Sequence, residues 1–90
     1  MHAVMVTVTL QPGREQEAAD HLNANVIPRV KEAPGLVAGY WAHRSDSHGS
    51  SMVIFETEGA ARAAADMVPT MVPEFVTIDS VEVGEVVAHA

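Results

Sequence analysis

The stretch AVMVTVTLQPGREQEAADHL, residues 3–22, contains the signals that decide the fold. Its first half alternates with period two, which predicts a strand with Val4, Val6, Val8 and Leu10 on one face and Ala3, Met5, Thr7 and Thr9 on the other. Pro12 and Gly13 end the strand, and Glu15 and Glu17 suit the first turn of a helix because their charge complements its positive end. We therefore predict a strand, a turn and a helix that begins near residue 13 or 14.

The predicted helix carries an apolar stripe and one disruptive proline. The stripe recurs every four residues and consists of Ala18, Leu22, Val26 and Val30. Pro28 removes one backbone hydrogen bond and crowds the preceding turn, which costs about 3 kcal/mol inside a helix. We expect a kink or a break around Asn23 to Ile27.

After the turn at 33–35, the chain returns to period two. Residues 36–43 are predicted as a strand with Leu36, Ala38, Tyr40 and Ala42 opposite Val37, Gly39, Trp41 and His43. The polar run 45–50 indicates a hairpin loop, and 51–56 the returning strand.

The last third predicts one helix and one strand. Residues 58–68 are rich in Ala, with Thr57 as the helix N-cap, and two prolines make 69–75 an irregular connection. Residues 76–90 are predicted as a long strand with a bulge or bend near Gly84. The order βαββαβ predicts a ferredoxin-like α+β fold, in which two helices cover one face of a four-stranded antiparallel sheet.

Composition limits the classes of function. The 90 residues make one domain, 1–90, because they are too few for two cores. Five Lys and Arg against twelve Asp and Glu give a net charge of -7, which argues against nucleic acid and anionic membranes as partners. The chain has no Cys, which excludes disulfides and thiolate metal sites and fits a cytoplasmic protein.

Three of the four predicted strands carry apolar residues on both faces. Helices cover only one sheet face, so the other face would expose a large apolar patch to water. Pairing with a second copy of the chain is the simplest remedy, and two-fold pairs are the commonest oligomers. We therefore predict a face-to-face homodimer.

Several segments together resemble a known family: VTLQPGREQEAADHL (8–22), APGLVAGYWAHR (33–44), MVIFETEGAARAA (52–64) and the final strand. Over residues 4–83 the chain resembles the dimeric α/β barrel superfamily and, within it, the antibiotic biosynthesis monooxygenase-like proteins. The resemblance implies a homodimeric barrel with outer helices and a small-molecule cavity in each subunit. Members of this family oxygenate polycyclic phenols without a cofactor, degrade haem or isomerise lactones, and many have no assigned role.

The resemblance also bears on cofactors. The haem-degrading branch has an Asn in strand 1, a Trp in strand 3 and a His in helix 2. This chain has Met5 and Thr7 in strand 1, no Trp in 51–56 and no His in 58–68. We therefore expect no cofactor. The resemblance implies a monooxygenase-like protein of unknown function that oxidises or isomerises a small aromatic or enolic compound.

The first candidate site residues lie in GYWAHR, residues 39–44. Trp41 and His43 are two apart in a strand, so their side chains share a face and can contact one ligand, whereas Tyr40 points the other way. We predict Trp41 and Tyr40 as ligand-binding residues. His43 is the candidate general base because imidazole titrates near neutral pH.

Two further candidates lie outside that stretch. Met71, predicted to bind ligand, belongs to the apolar segment 68–75, which is either a lid over a pocket or a packed connection. Asn23 lies at the predicted kink, where it either satisfies freed backbone groups or faces a cavity as a second catalytic residue. The set His43, His48 and Asp46 matches no established ligand spacing, so we predict no metal site.

The site residues also admit a structural interpretation. A buried Trp removes about 150–250 Å² from water, so Trp41 can simply fill the core or the dimer interface. A non-catalytic module that binds a small ligand or a protein is therefore the alternative to an enzyme. In both interpretations the partners are a second copy of the chain and a small apolar or aromatic molecule.

Overall fold

The computed structural model describes residues 1–45 and 47–90. These residues form, in order, β1 (His2–Leu10), α1 (Glu15–His21), α2 (Ile27–Lys31), β2 (Leu36–His43), β3 (His48–Phe55), α3 (Glu58–Met67) and β4 (Val76–Glu85). A π-helical segment, Leu22–Val26, joins α1 to α2, and a 3-10 turn, Val68–Thr70, follows α3. The strands form one antiparallel sheet in the order β2-β3-β1-β4, which confirms the predicted ferredoxin-like βαββαβ fold.

The π-helical segment lies where the kink was predicted. Pro28 occupies the first turn of α2, where its missing N–H breaks no hydrogen bond of that helix. The wider π turn accommodates the proline without ending the helical path. Asn23 supports this arrangement, because its Nδ2 donates to the carbonyl oxygen of Ala19 at 2.9 Å.

The pairing of β4 with β1 shifts register between Thr7 and Val8, so that Asp79 is skipped. The bulge predicted near Gly84 was therefore misplaced, since Gly84 pairs regularly with Ala3. The physical reason is the spacing of the apolar residues. One extra residue is needed to bring both halves of the strand onto the helix side of the sheet, where they contribute Val76, Ile78, Val81 and Val83.

A second register shift corrects the prediction for β2. The pairing with β3 is irregular between Leu36 and Ala38. Leu36 consequently packs against the core on the same side as Trp41, and its predicted grouping with Tyr40 is wrong. The rest of the strand alternates as predicted, with Trp41 and His43 on the helix side.

The core lies between the sheet and α3. Ala61 of α3 is fully buried, and its small side chain allows the helix to lie close to the sheet. Burial of the Phe55 side chain contributes about 1.5–3 kcal/mol. Thr57 caps α3 as predicted, because its Oγ1 accepts a hydrogen bond from the N–H of Ala60 at 3.1 Å.

The opposite face of the sheet is uncovered in the single chain. Tyr40 is 69% exposed and Met52 is 45% exposed, and they are cross-strand partners. Met52 also pairs with Met5 of β1. In the part of the chain that the structure describes, no helix is long and apolar enough to cross a bilayer.

Candidate functional site

A cavity of about 330 Å³ lies between the helix side of the sheet and the unit formed by α1, the π segment and α2. Its sheet wall comes from β1, β2 and β3, and its helix wall is the predicted apolar stripe, Ala18, Leu22, Val26 and Val30. No residue of α1, the π segment or α2 is fully buried, whereas α3 lies directly on the sheet. The apolar stripe therefore lines the cavity, and Val30 at its end also packs against the core.

Residues 68–75, called the lid segment below, form a third wall of this cavity. Val68, Met71, Val72 and Pro73 line it. The far end of the lid segment is held at Phe75, whose carbonyl oxygen accepts a hydrogen bond from the N–H of Gln11 at 3.0 Å. The Arg14 guanidinium also lies over the Phe75 ring, 4.1 Å from its centroid. The segment thus connects the end of α3 to β4 across one side of the cavity.

Trp41 lines the cavity and also packs against the core. Its ring lies over Gly39, where a Cβ would approach ring atoms Cζ3 and Cη2 to 3.0 Å. Gly39 therefore provides the space in which the ring rests along its own strand. Trp41 therefore packs against the core and lines the cavity at the same time, and its binding of a ligand stays a prediction.

Polar groups lie beside Trp41 in the cavity wall. His43 is exposed at the end of β2 and lines the cavity, and Ser51 is the cross-strand partner of Trp41. An aromatic ring and a titratable side chain thus face the same space. Such a pairing can hold a flat molecule by stacking and exchange a proton with a polar group on it.

The other predicted site residues lie outside this cavity. Asn23 is exposed and its amide bonds the Ala19 carbonyl, as in the structural alternative. Tyr40 is on the uncovered face of the sheet, so it does not meet Trp41 at one ligand. The structure therefore brings together Trp41, His43 and Met71. Asp46, from the rejected metal set, lies outside the described residues.

His21 is a cavity residue that the sequence reasoning did not select. Its Nε2 donates to the carbonyl oxygen of Met71 at 2.8 Å, and its Nδ1 accepts from Nδ2 of Asn25 at 3.2 Å. One neutral tautomer, with the proton on Nε2, satisfies both contacts. His21 and Asn25 are four residues apart on a helix, so their contact could be predicted from the sequence. The contact of His21 with Met71 could not.

An ion pair lies at the start of α1. Arg14 and Glu17 form a two-fold hydrogen-bonded ion pair, with both nitrogen-oxygen distances 2.7 Å. This bond raises the pKa of the Arg14 guanidinium and lowers the pKa of the Glu17 carboxyl. The ion pair orients Arg14, whose guanidinium covers Phe75 at the end of the lid segment. Among the described residues, no group of three His, Asp or Glu side chains could hold a metal ion.

Comparison with known proteins identifies the fold. No protein-family model and no curated protein sequence matches the chain. Solved structures do match it. One is a protein from Bordetella bronchiseptica assigned as an antibiotic biosynthesis monooxygenase, with 22% identity, a TM-score of 0.73 and 97% of each chain covered.

Two further solved structures share this fold. A variant of SnoaB, a cofactor-independent oxygenase from Streptomyces nogalater, has 14% identity and a TM-score of 0.74, with 98% of this chain and 95% of that chain covered. A variant of MhuD with two manganese protoporphyrin IX molecules per active site has 14% identity and a TM-score of 0.75, with 100% and 98% covered. The chain thus has the fold of the antibiotic biosynthesis monooxygenase-like proteins. Sequence identities this low show a shared fold and not a shared function.

Proposed function

We propose that this chain binds a small aromatic or enolic molecule in the cavity between the sheet and α1, and oxidises or isomerises it without a cofactor. The observation that supports this proposal is the presence of Trp41 and His43 in the wall of one largely apolar cavity. Its volume of about 330 Å³ is at the lower end of the range of about 300–1,000 Å³ for small-molecule sites, which favours a small ligand over a macrocycle.

Each of the two side chains has a distinct role in this proposal. Trp41 orients the ligand ring by stacking, which contributes about 0.5–1.5 kcal/mol beyond area burial. His43 accepts the proton of an acidic hydroxyl or enol and leaves an electron-rich anion. That anion either adds dioxygen at a carbon that bears hydrogen, forming a peroxide that takes the proton back from His43 and loses water to leave a new carbonyl, or it regains the proton at a different carbon, which would be the isomerisation.

A second copy of the chain completes the proposal. Tyr40 and Met52 expose apolar surface on the face of the sheet that the helices leave uncovered. Pairing of two such faces removes this surface from water and places both cavities on the outer sides of the dimer. Tyr40 then belongs to the interface and not to the ligand site. The cytoplasmic location inferred from the lack of cysteine stays a prediction.

The first test uses the protein's own fluorescence. Trp41 is the sole Trp of the chain, so its emission under excitation that is selective for Trp over Tyr40 reports on the cavity. Titration with 1-naphthol should quench this emission saturably. Absence of quenching by 1-naphthol, 2-naphthol and anthrone would contradict an aromatic ligand in this cavity.

The second test measures turnover. Dioxygen uptake with the same three compounds should fall by about 100-fold or more in His43→Gln, since loss of a general base costs about 10²–10⁴ in rate. His89→Gln is the matched control, because His89 is exposed in the tail after β4. Uptake retained in His43→Gln would remove His43 from the mechanism.

The mainly aliphatic cavity wall also supports the non-catalytic alternative, a module that binds a small ligand without transforming it. Saturable quenching of Trp41 without dioxygen uptake or product formation from any bound compound would favour this alternative.

A further inference from the structure

We propose that His21 holds the lid segment over the cavity and sets the rate at which a ligand enters and leaves. The inference rests on the proposed function of the cavity as a ligand site. It concerns the positioning of one cavity wall, and it assigns His21 no contact with the reacting atoms.

The two ends of the lid segment are anchored without His21. At its beginning, the hydroxyl of Thr70 donates to the carbonyl oxygen of Met67 at 2.6 Å, which continues the path of α3. At its end, Phe75 bonds the N–H of Gln11 and lies under Arg14. Both anchors keep the segment attached to the domain when its middle moves.

The middle of the lid segment has little support of its own. Pro69 and Pro73 have no N–H group to donate, and the N–H of Met71 bonds Val68 inside the segment. Among the hydrogen bonds of residues 1–45 and 47–90, two join this middle part to other elements: the N–H of Val76 in β4 donates to the carbonyl oxygen of Pro73 at 3.0 Å, and His21 donates to that of Met71. The bond from His21 crosses from the helix wall of the cavity to the lid wall, since both His21 and Met71 line the cavity.

The helix side of this contact is built to orient the imidazole. His21 ends α1 and immediately precedes the π segment, a feature that is frequent at functional sites. The Asn25 amide bonds its Nδ1, which directs the Nε2 proton at Met71. Breaking the bond to Met71 therefore separates the middle of the lid segment from the helix wall, while the helix, both anchors and the bond between Pro73 and Val76 stay in place.

The variants separate this role from a general loss of stability. His21→Leu removes both hydrogen bonds of the imidazole and keeps a side chain of similar size. His21→Gln keeps an N–H donor, because Nε2 of glutamine is separated from Cα by the same number of bonds as Nε2 of histidine. Gln16→Ala is the matched control, because Gln16 lies on the same helix outside the π segment and its amide bonds Asp20 at 2.9 Å.

Hydrogen-deuterium exchange of the lid amides is the first readout, and it requires no ligand. In His21→Leu their exchange should rise about fivefold relative to β1 and α3, as expected for the loss of one hydrogen bond. His21→Gln and Gln16→Ala should exchange as wild type does. Unchanged lid exchange in His21→Leu, or a rise equal to that of β1, overturns the proposal. If His21→Leu does not fold, Asn25→Ala should show a smaller rise in the same amides, and its absence overturns the proposal equally.

Stopped-flow binding of 1-naphthol, followed by Trp41 emission, is the second readout. Association and dissociation should both accelerate in His21→Leu by about the same factor, so that Kd changes less than about twofold. A change in dissociation alone would mean direct contact with the ligand and overturn the proposal. If 1-naphthol does not bind the wild type, the proposed function fails on that ligand, while the exchange experiment still decides the role of His21.

Discussion

Gly39→Ala perturbs the contact that sets the position of Trp41. A Cβ at this position would lie 3.0 Å from Cζ3 and from Cη2 of the ring, and 3.6 Å from Cγ1 of Val53. Carbon atoms attract one another best at about 3.5–4.0 Å, so the ring must retreat by roughly 0.5–1 Å. The backbone of β2 is paired with β3 at Val53, so the side chain moves and the strand does not.

The effect on stability should be small. Turning the Trp41 side chain away from its preferred rotamer costs about 0.5–1.5 kcal/mol. Replacing Gly by Ala inside a strand recovers about 0.5–1 kcal/mol through the lower entropy of the unfolded chain. The free energy of unfolding should therefore change by less than about 1 kcal/mol. The ring, in contrast, is displaced from the surface on which it rests in the cavity wall.

Binding should weaken even though stability changes little. Loss of a well-placed aromatic contact of about 0.5–1.5 kcal/mol weakens the affinity for 1-naphthol by about two- to tenfold. Titration by Trp41 emission measures the affinity, and urea unfolding measures stability. The emission spectrum of the free protein should also shift as the ring moves.

Gly59→Ala is the matched control for this substitution. A Cβ at Gly59 meets nothing within 4 Å, so the change should stabilise α3 by about 0.5–1 kcal/mol and leave binding unaltered. If Gly39→Ala binds 1-naphthol as tightly as the wild type and its emission is unchanged, the account of Trp41 as a cavity wall held by Gly39 is refuted.

Three further outcomes are expected. Tyr40→Glu should convert the proposed dimer to a monomer in light scattering at micromolar concentration, because it places a charge on the exposed apolar face; a monomeric wild type would contradict the dimer. The folded-state pKa of Glu17 is lowered by its bond to Arg14, so this pair stabilises the fold above the unfolded-state pKa of the carboxyl, and the contribution is lost as pH falls through the folded-state pKa. Carbon-13 NMR titration should show the Glu17 pKa rising in Arg14→Met, and an unmoved pKa would count against the ion pair in solution. Thr57→Ala should lower the free energy of unfolding by about 1 kcal/mol, measured in urea, because the N–H of Ala60 loses its acceptor.

Local pattern was sufficient to predict most of the secondary structure. The alternation in β1, the N-cap at Thr57 and the effect of Pro28 each depend on residues a few positions apart, so they could be read before any tertiary contact was known. The turn at Gly13 is of the same kind, because its φ of +83° favours glycine. The shared face of Trp41 and His43 also follows from period two alone.

The two register shifts show where local pattern failed. Between Ile78 and Val81 the apolar residues change from even to odd positions, and this change is visible in the sequence. The bulge was nevertheless predicted near Gly84, because glycine is frequent at bulges. In β2 the predicted alternation was extended one residue too far, to Leu36. In both strands the irregularity brings apolar residues onto the helix side of the sheet, where α3 and the core bury them.

The cavity itself was decided by tertiary structure. Periodicity marked the stripe of Ala18 and Leu22 as apolar, but it could not show that α1 lies away from the sheet while α3 lies upon it. Nor could it show on which side of the sheet Trp41 lies, or that His21 meets Met71 fifty residues later. Local periodicity specifies which side chains share a face of one element, whereas the separation between elements and the pairing of distant residues depend on how the whole chain packs.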